Sequence, residues 1–344
     1  MSEIRKHYFL DEYCIIAGER GKRPSDFVLK PEKAKGMECP FCGGNESLTP
    51  KATAVYRDGQ VLIDTDHERV TGWQVRCIPN LYPAVSPDPT PVINENGWTV
   101  QEGYGFHEVI VETPEHSKIL SMFTNKEMSL LMRVYKDRTL FYQLQKGIEY
   151  VSLFKNSGEA GGASLEHTHT QLIALPVIPP ILRKEQEVLH NLHYCPYCEI
   201  VKSESTSSRL ITKNEYWAAF APFYSQSPFE VWIMPFEHLS HIGECSDTML
   251  EFLGSILKEI MVRYREVLKD PPFNYMFFQD RGKYHLNLRI KPVLSIIAGF
   301  EKNTDIYINT VAPEQAAAFL RQDSNKIGTV PKSSYEIKSS DFCT

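Results

Sequence analysis

Hydrophobic and polar positions along this 344-residue chain follow two periods, one of two residues and one close to 3.6. Alternation with β-branched residues predicts strands at residues 61–64, 71–78, 106–113, 149–155, 165–175, 216–221, 229–234, 273–279 and 284–291. Helical spacing predicts helices at residues 125–148, 181–192 and 247–268. The first of these helices has an apolar stripe that we expect to be core, made of Leu130, Leu131, Val134, Leu140 and Leu144.

Strands on both sides of single helices, joined by tight connections, favour an antiparallel α+β unit that is used twice. Prolines at positions 176, 179 and 180 interrupt the pattern and predict the junction between the two units. We therefore expect an N-terminal unit at residues 1–178 and a C-terminal unit at residues 179–322. Residues 323–344 are polar, rich in serine and lysine, and without a hydrophobic period, so we expect a flexible tail.

The segment His167–Gln171 places two histidines and a glutamine at every second position. In a strand, successive side chains alternate between faces, so His167, His169 and Gln171 would share one face and the two threonines the other. An imidazole on that face could attack a phosphorus atom while the glutamine amide binds phosphate oxygens. The alternative interpretation is a strand with two half-buried histidines, because short motifs of this kind also occur by chance.

Small and glycine-rich residues precede this segment, at positions 156–164. Such a stretch lets backbone N–H groups approach an anion closely. Within it, Asn156 and Ser164 are candidate phosphate-binding residues.

Two Cys-x-x-Cys pairs, Cys39/Cys42 and Cys195/Cys198, are each able to supply two thiolates to a tetrahedral zinc ion. Neither pair has a second cysteine pair nearby, so we expect histidines to complete each site. The available histidines are His116 and His167 for the first site, and His238 and His285 for the second. The alternative is a redox motif, but no βαβ pattern surrounds either pair.

The landmarks of the first half recur in order in the second half, which indicates an internal duplication. Cys-Pro-Phe-Cys is followed by a strand, then His116, then His167, and Cys-Pro-Tyr-Cys is followed by a strand, then His238, then His285. Asn287 in the second copy occupies the place of His169. Since an amide cannot act as that nucleophile, we expect chemistry in the first copy alone.

Composition narrows the classes of protein and of partner. A hydrophobic content of 42% fits a globular chain, and a net charge of −6 without a run of Lys or Arg argues against a nucleic-acid partner. We find no secretory segment at the N-terminus and no apolar run of about 18 residues, so we expect no membrane span. Eight cysteines, four of them in Cys-x-x-Cys pairs, fit a reducing compartment, and we expect the cytoplasm.

Taken together, these motifs resemble the galactose-1-phosphate uridylyltransferase branch of the histidine-triad superfamily, which includes the closely similar ADP-glucose phosphorylases. Residues 162–171 are close to the active-site strand of the family, in which the second histidine, here His169, carries the nucleotidyl group. The resemblance covers nearly all of residues 10–321. Many members have proline between the two histidines where this chain has Thr168.

The resemblance implies two tandem histidine-triad-like units in a duplicated, mainly antiparallel half-barrel sheet with flanking helices. It also implies double displacement through a covalent nucleotidyl-histidine, structural metals and a homodimer. The implied substrates are a nucleotide sugar, UDP-glucose or UDP-galactose, and a hexose-1-phosphate. The second Cys-x-x-Cys pair occurs in only some members.

Further site residues are predicted from their chemistry and from their place in the family order. Gln171 would stabilise charge on phosphate oxygens, and Asn80 would contact the base or ribose. Phosphate contacts are expected from Arg20, Arg23, Asn156 and Ser164, and Glu301 would accept sugar hydroxyls. The histidine strand would be fixed by a closed-shell zinc, with a backbone carbonyl accepting the Nδ1–H of His169. His107, on the strand that enters the site, is expected to be a packing residue.

The sequence favours a UDP-glucose:hexose-1-phosphate uridylyltransferase. The nearest alternative is an ADP-glucose or dinucleotide phosphorylase, in which inorganic phosphate is the acceptor. A more remote alternative is a zinc-stabilised binding module without catalysis.

Overall fold

The computed structural model describes residues 2–6, 13–17, 38–89, 100–282 and 284–323. The basic cluster around Arg20 and Arg23 lies outside these residues, as does the expected tail apart from Asp323. Among the described residues, no helix combines the length and the apolar character needed to cross a membrane.

The described residues form fourteen strands. These are β1 (Ser2–Lys6), β2 (Tyr13–Ala17), β3 (Ala54–Arg57), β4 (Gln60–Leu62), β5 (Val75–Pro79), β6 (Val100–Glu102), β7 (Phe106–Val111), β8 (Tyr150–Ser157), β9 (His169–Leu175), β10 (Leu210–Lys213), β11 (Trp217–Phe220), β12 (Val231–Pro235), β13 (Phe273–Phe278) and β14 (Asn287–Pro292). The α-helices in the same part of the chain are α1 (Asn125–Gln143), α2 (Pro180–His190), α3 (Pro196–Glu204), α4 (Asp247–Leu268), α5 (Gly299–Thr304) and α6 (Pro313–Arg321).

Eleven of the strands form one antiparallel sheet in the order β10-β11-β12-β14-β13-β8-β9-β7-β5-β3-β4. The other three form a small sheet in the order β2-β1-β6. Reading outward from the β8–β13 pair, β9, β7, β5 and β3 on one side correspond to β14, β12, β11 and β10 on the other. The α+β fold with a duplicated unit is therefore confirmed, whereas the residue boundaries of the two units stay a prediction.

Helices α1 and α4 pack on each other against the sheet and contribute much of the main core. Each begins at a hydroxyl cap: Thr124 accepts from the N–H of Glu127, and Ser246 accepts from the N–H of Met249. Gly254 of α4 permits the close approach of the two helices, because a Cβ there would lie 3.0 Å from the backbone of Met128.

Several predicted boundaries were wrong. Instead of a strand at 61–64 there is a β3–β4 hairpin whose turn residues, Asp58 and Gly59, both have positive φ. An Asp-Gly pair is a strong signal for such a turn, and the alternation pattern did not use it. Strand β9 begins at His169 and not at residue 165, because its neighbour β7 ends at Val111, shortly before Pro114. Helix α3, which begins with Pro196 directly after Cys195, was not predicted.

The apolar stripe of the first helix was partly wrong. Leu131 and Val134 are fully buried, Leu130 and Leu140 are half-buried, and Leu144 is 83% exposed. Leu144 lies beyond the last residue of α1, so the helical period no longer fixes the direction of its side chain.

The contrast between two leucines gives a test of this core. We expect Leu131→Ala to lower the free energy of unfolding by about 2–5 kcal/mol, since it removes a buried side chain and leaves a cavity. The matched control, Leu144→Ala, removes the same atoms from solvent and should change stability by less than about 0.5 kcal/mol. Urea denaturation followed by circular dichroism measures both, and equal losses would contradict this assignment of the core.

Candidate active site and metal centres

The His169 side chain lies at the first position of β9 and is 6% exposed. Its Nδ1 lies 2.7 Å from the carbonyl oxygen of His167, as expected from the sequence. A carbonyl oxygen only accepts, so Nδ1 carries the proton and Nε2 keeps a lone pair. Burial, helped by the nearby Lys155 cation, lowers the pKa of His169 to about 4. The imidazole is therefore neutral near pH 7, which is the state a nucleophile needs.

On the opposite face of this strand, the side chains contact a buried carboxylate, that of Glu112. Its oxygens accept from the hydroxyls of Thr168 (2.5 Å) and Thr170 (2.6 Å) and from the ammonium of Lys155 (2.6 Å). Burial alone would raise the pKa of Glu112, but Lys155 and these hydroxyl donors hold it below its usual range. Thr168 thus faces away from the imidazoles, as the alternation of a strand predicts.

Lys155 connects this buried network to the backbone of the candidate nucleophile. Its ammonium donates to Thr168 Oγ1 (2.8 Å) and to the carbonyl oxygen of His169 (2.9 Å), in addition to Glu112. All three of its N–H donors are used, and one of them fixes the backbone carbonyl of His169, the first residue of β9.

Gln171 lies two residues along β9, and its Oε1 is 3.0 Å from Nε2 of His107 on β7. Nδ2 of Asn80 lies 3.1 Å from the same ring nitrogen. The structure therefore brings Asn80 and Gln171 together through His107, a residue that the sequence assigned to packing. The next residue on β7, Glu108, faces the opposite side, where it pairs with Arg138 at 2.7 Å.

The glycine-rich segment closes over the end of β8 and β13. Gly158 and Gly162 have φ of +75° and +83°, which other residues rarely adopt, and a Cβ on Gly161 would lie 3.0 Å from the backbone oxygen of Phe273. Asn156 presents Oδ1 to the amide of Asn274 at 2.8 Å. Asn156 and His169 line one pocket of about 170 Å³.

Four other predicted site residues do not line that pocket: Asn80, Gln171, Ser164 and Glu301. Ser164 is exposed on the glycine-rich turn. Glu301 lies on α5, where its carboxylate accepts from the N–H of Ala298 at 3.1 Å.

Cys39, Cys42, His116 and His167 come together as the sequence predicted, with all four ligand atoms within 4.8 Å of one another. The Sγ–Nδ1 separations are 3.6 Å for Cys39–His167, 3.5 Å for Cys42–His116 and 3.7 Å for Cys42–His167. Tetrahedral zinc with its usual bond lengths requires about 3.6 Å between such atoms. Nε2 of His167 donates to the carbonyl oxygen of Thr113 at 2.7 Å, which leaves Nδ1 free of a proton and ready to bind a metal.

The second group, Cys195, Cys198, His238 and His285, has the same arrangement within the same 4.8 Å limit. Nδ1 of His285 lies 3.4 Å from Sγ of Cys198, and Nδ1 of His238 lies 3.4 Å from that sulfur as well. Nε2 of His285 faces the carbonyl oxygen of Pro235 at 3.2 Å. Both groups fit a metal ion in the chemistry and the spacing of their donors.

The position that corresponds to the nucleophile is filled differently in the second half. Asn287 donates to the carbonyl oxygen of His285 at 2.9 Å, the same bond that His169 makes to His167. Arg289, in the place of Gln171, donates to Asn287 Oδ1 (2.7 Å) and to Glu185 of α2 (3.1 Å). Its guanidinium also stacks over Phe278 at 3.7 Å. Side chains of the protein itself thus occupy the second site, which agrees with chemistry in the first half alone.

Sequence reasoning missed three residues of the first site: Phe41, Glu112 and Lys155. Phe41, inside the first Cys-x-x-Cys pair, contacts the His169 ring edge-on with centroids 5.4 Å apart. The positions of Glu112 and Lys155 carried a signal, since a charged residue within a predicted strand is unusual and requires a buried partner.

Comparisons with known proteins agree with this geometry. Residues 16–179 match the family model described as the N-terminal domain of galactose-1-phosphate uridyl transferase. Residues 117–327 match a second family model, described as a domain of unknown function (DUF4921).

Among similar proteins, an ADP-glucose phosphorylase of Arabidopsis thaliana is 34% identical over 341 residues, which cover 94% of this chain and 93% of the relative. A galactose-1-phosphate uridylyltransferase of Thermotoga maritima is 29% identical over 95% of this chain and 100% of its own. A solved uridylyltransferase structure superposes with a TM-score of 0.78 at 28% identity, covering 94% of this chain and 99% of the other. The chain therefore belongs to the galactose-1-phosphate uridylyltransferase family and is a nucleotidyltransferase.

Proposed function

We propose that this protein transfers a uridylyl group from UDP-glucose to a hexose-1-phosphate such as galactose-1-phosphate, through a covalent intermediate on His169. The observation that carries the proposal is the hydrogen bond from Nδ1 of His169 to the carbonyl of His167, because it leaves Nε2 as a buried lone pair. A relative at 29% identity with the name galactose-1-phosphate uridylyltransferase supports the choice of substrates.

In the first step Nε2 of His169 attacks the α-phosphorus, and the bond to the bridging oxygen breaks. The electron pair leaves with that oxygen, so glucose-1-phosphate departs and a uridylyl-imidazole remains. In the second step a phosphate oxygen of the incoming hexose-1-phosphate attacks the same phosphorus and the P–N bond breaks. Sequential exchange of this kind gives ping-pong kinetics.

Gln171 supports transfer between phosphates in preference to hydrolysis. A third histidine at this position could deliver a proton to an alkoxide leaving group, whereas an amide cannot. Both the leaving group and the acceptor here are phosphate anions, which need no proton. The amide of Gln171 instead donates to non-bridging oxygens, and such donors contribute about 2.7–4 kcal/mol in comparable sites.

The alternative is an ADP-glucose phosphorylase, in which inorganic phosphate attacks an adenylyl-histidine. A specific observation favours it, because the relative with that name has the higher identity of the two, 34% against 29%. The chemistry at His169 is the same in both cases, and the two proposals differ in the base and in the second acceptor.

The remaining substrate contacts are proposals from chemistry and position. Asn80 would meet the base or ribose, and Asn156 and Ser164 would donate to phosphate oxygens. Arg20 and Arg23 would add positive charge to the same region. Glu301 would accept sugar hydroxyls, and it lies on the exposed segment 296–308.

We propose zinc as the metal of both Cys₂His₂ groups. Four protein ligands close the coordination shell, so the ion would be structural. The first ion would hold His167, and through its carbonyl group it would hold the ring of His169. The protein's own residues perform the transfer.

We also propose a homodimer in the cytoplasm. The exposed segment 296–308 carries Ile296, Ile297, Phe300, Ile306 and Ile308, each at least 50% exposed. An apolar surface of this kind is typical of an interface. Cys77 and Cys245, which lie outside the two Cys₂His₂ groups, are free thiols, and this fits a reducing compartment.

The first prediction concerns the covalent intermediate. Incubation with UDP-glucose should leave a uridylyl adduct on wild type and none on His169→Ala, because the variant lacks the nucleophile. Intact-protein mass spectrometry, followed by peptide mapping, measures the adduct and locates it. An adenylyl adduct from ADP-glucose alone would transfer the assignment to the phosphorylase, and an adduct on another residue would contradict the role of His169.

The second prediction separates the two metal groups. Cys39→Ser should lower the zinc content from two ions to one per chain and slow adduct formation roughly tenfold or more, because the histidine strand loses its anchor. Cys195→Ser is the matched control: it should lose the other ion and keep most of the rate. Elemental analysis and single-turnover rates measure both effects. Full activity of Cys39→Ser without its metal would rule out this role.

The third prediction addresses assembly. Ile306→Glu/Ile308→Glu should sediment as a monomer where wild type sediments as a dimer, since two carboxylates would have to be buried in the interface. Leu144→Glu, at another exposed apolar position, should leave the dimer intact. Analytical ultracentrifugation decides, and a monomeric wild type would exclude the dimer.

A further inference from the structure

His107 connects the loop at residues 80–84 to Gln171, and the direction of its hydrogen bonds sets the direction of the Gln171 amide. We infer that His107 is a positioning residue, which holds Gln171 with its N–H₂ group facing the phosphate. The inference rests on the proposed function, because it assigns a partner to the proposed phosphate-binding amide.

The tautomer of His107 follows from one backbone contact. The N–H of Ala84 donates to Nδ1 of His107 at 3.0 Å. A backbone N–H only donates, so Nδ1 is the nitrogen with the lone pair and the ring proton lies on Nε2. The ring is neutral in this arrangement, because a doubly protonated imidazole would have no lone pair to accept the N–H of Ala84.

The proton on Nε2 then fixes the amide of Gln171. Oε1 of Gln171 lies 3.0 Å from Nε2 of His107 and accepts from it. Rotation of the amide by 180° would take away the oxygen that accepts the Nε2 proton, which is costly in a buried place. His107 and Gln171 are 5% and 9% exposed, so water competes little for this bond. The N–H₂ group therefore points away from His107.

The strand register explains why this contact exists. His107 pairs with Ile173, and Val109 pairs with Gln171, so His107 and Gln171 are diagonal neighbours on one face of the sheet. Val111 pairs with His169, which places all these positions on the face of the proposed nucleophile. A long planar side chain at position 107 reaches a diagonal partner, whereas a small one would not.

The loop at residues 80–84 is tied to the same ring. The N–H of Asn80 donates to the carbonyl oxygen of His107 at 2.8 Å, and Oδ1 of Asn80 accepts from the N–H of Tyr82 at 2.9 Å. Nδ2 of Asn80 lies 3.1 Å from Nε2 of His107, so the Asn80 amide packs against the same ring. One imidazole therefore contacts both the base-side loop and the phosphate-side amide.

Two substitutions test this role. His107→Phe keeps a planar ring and removes both nitrogens, so Gln171 loses the partner that orients it. We expect single-turnover adduct formation from UDP-glucose to slow about 10- to 100-fold, with the half-saturating concentration changing less than about threefold, because the amide acts mainly on developing charge. His107→Gln offers an amide N–H near the place of Nε2 and should recover most of the lost rate.

A double-mutant cycle separates positioning from packing. If His107 acts through Gln171, His107→Phe should have little further effect, within about twofold, in a Gln171→Ala background. An equal loss in both backgrounds, or a loss that His107→Gln does not relieve, would overturn the inference. Zinc content and urea midpoints of all variants exclude misfolding as the cause. If His107→Phe does not fold, the cycle is run with His107→Ala.

The failure of this inference is distinguishable from that of the proposed function. A wild type without an adduct on His169 removes the proposed function. An adduct on wild type, slowed by Gln171→Ala but not by His107→Phe, removes only the positioning role.

Discussion

The hydrogen bond from Nδ1 of His169 to the carbonyl oxygen of His167 joins a member of the first Cys₂His₂ group to the proposed nucleophile across two residues. It selects the tautomer, orients the ring and leaves a lone pair on Nε2. The carbonyl keeps its place because the side chain of His167 is fixed at Nδ1 by the Cys₂His₂ group and at Nε2 by Thr113. Distant parts of the chain therefore converge on the geometry of one imidazole.

Both faces of the segment that leads into β9 are polar, which is uncommon in the interior of a sheet. One face carries His169 and Gln171, and the other contacts Glu112 and Lys155. Glu112 and Lys155 are almost completely buried, and a buried ion pair gains little net stability, because desolvation offsets the attraction. The pair instead fixes positions: Lys155 donates to the carbonyl of His169, and Glu112 accepts from the hydroxyls of Thr168 and Thr170. We interpret the pair as a means of fixing one register for β9 and β7. The hydrophobic burial of the surrounding core offsets the free energy of desolvating the two charges.

The two halves of the molecule share the same supporting contacts but differ at the position of the proposed nucleophile. Asn287 repeats the carbonyl bond of His169, and the second Cys₂His₂ group repeats the first. Arg289 then donates to Asn287 and to Glu185, which are side chains of the protein itself. The second half keeps the support of the site without the nucleophile, and it contributes β13 to the sheet beside β8.

The sequence alone predicted the two Cys₂His₂ groups, the face shared by His169 and Gln171, and the duplicated order of elements, because each is visible in the spacing of motifs along the chain. It also placed Thr168 away from the imidazoles through the alternation of a strand. Only the tertiary structure decided that His107 contacts Gln171, 64 residues away, and that Glu112 pairs with Lys155, 43 residues away. Both contacts depend on which strands are neighbours and in which register. Local periodicity gives the face on which a side chain lies, but the pairing of β7 with β9, and of β9 with β8, gives its partner.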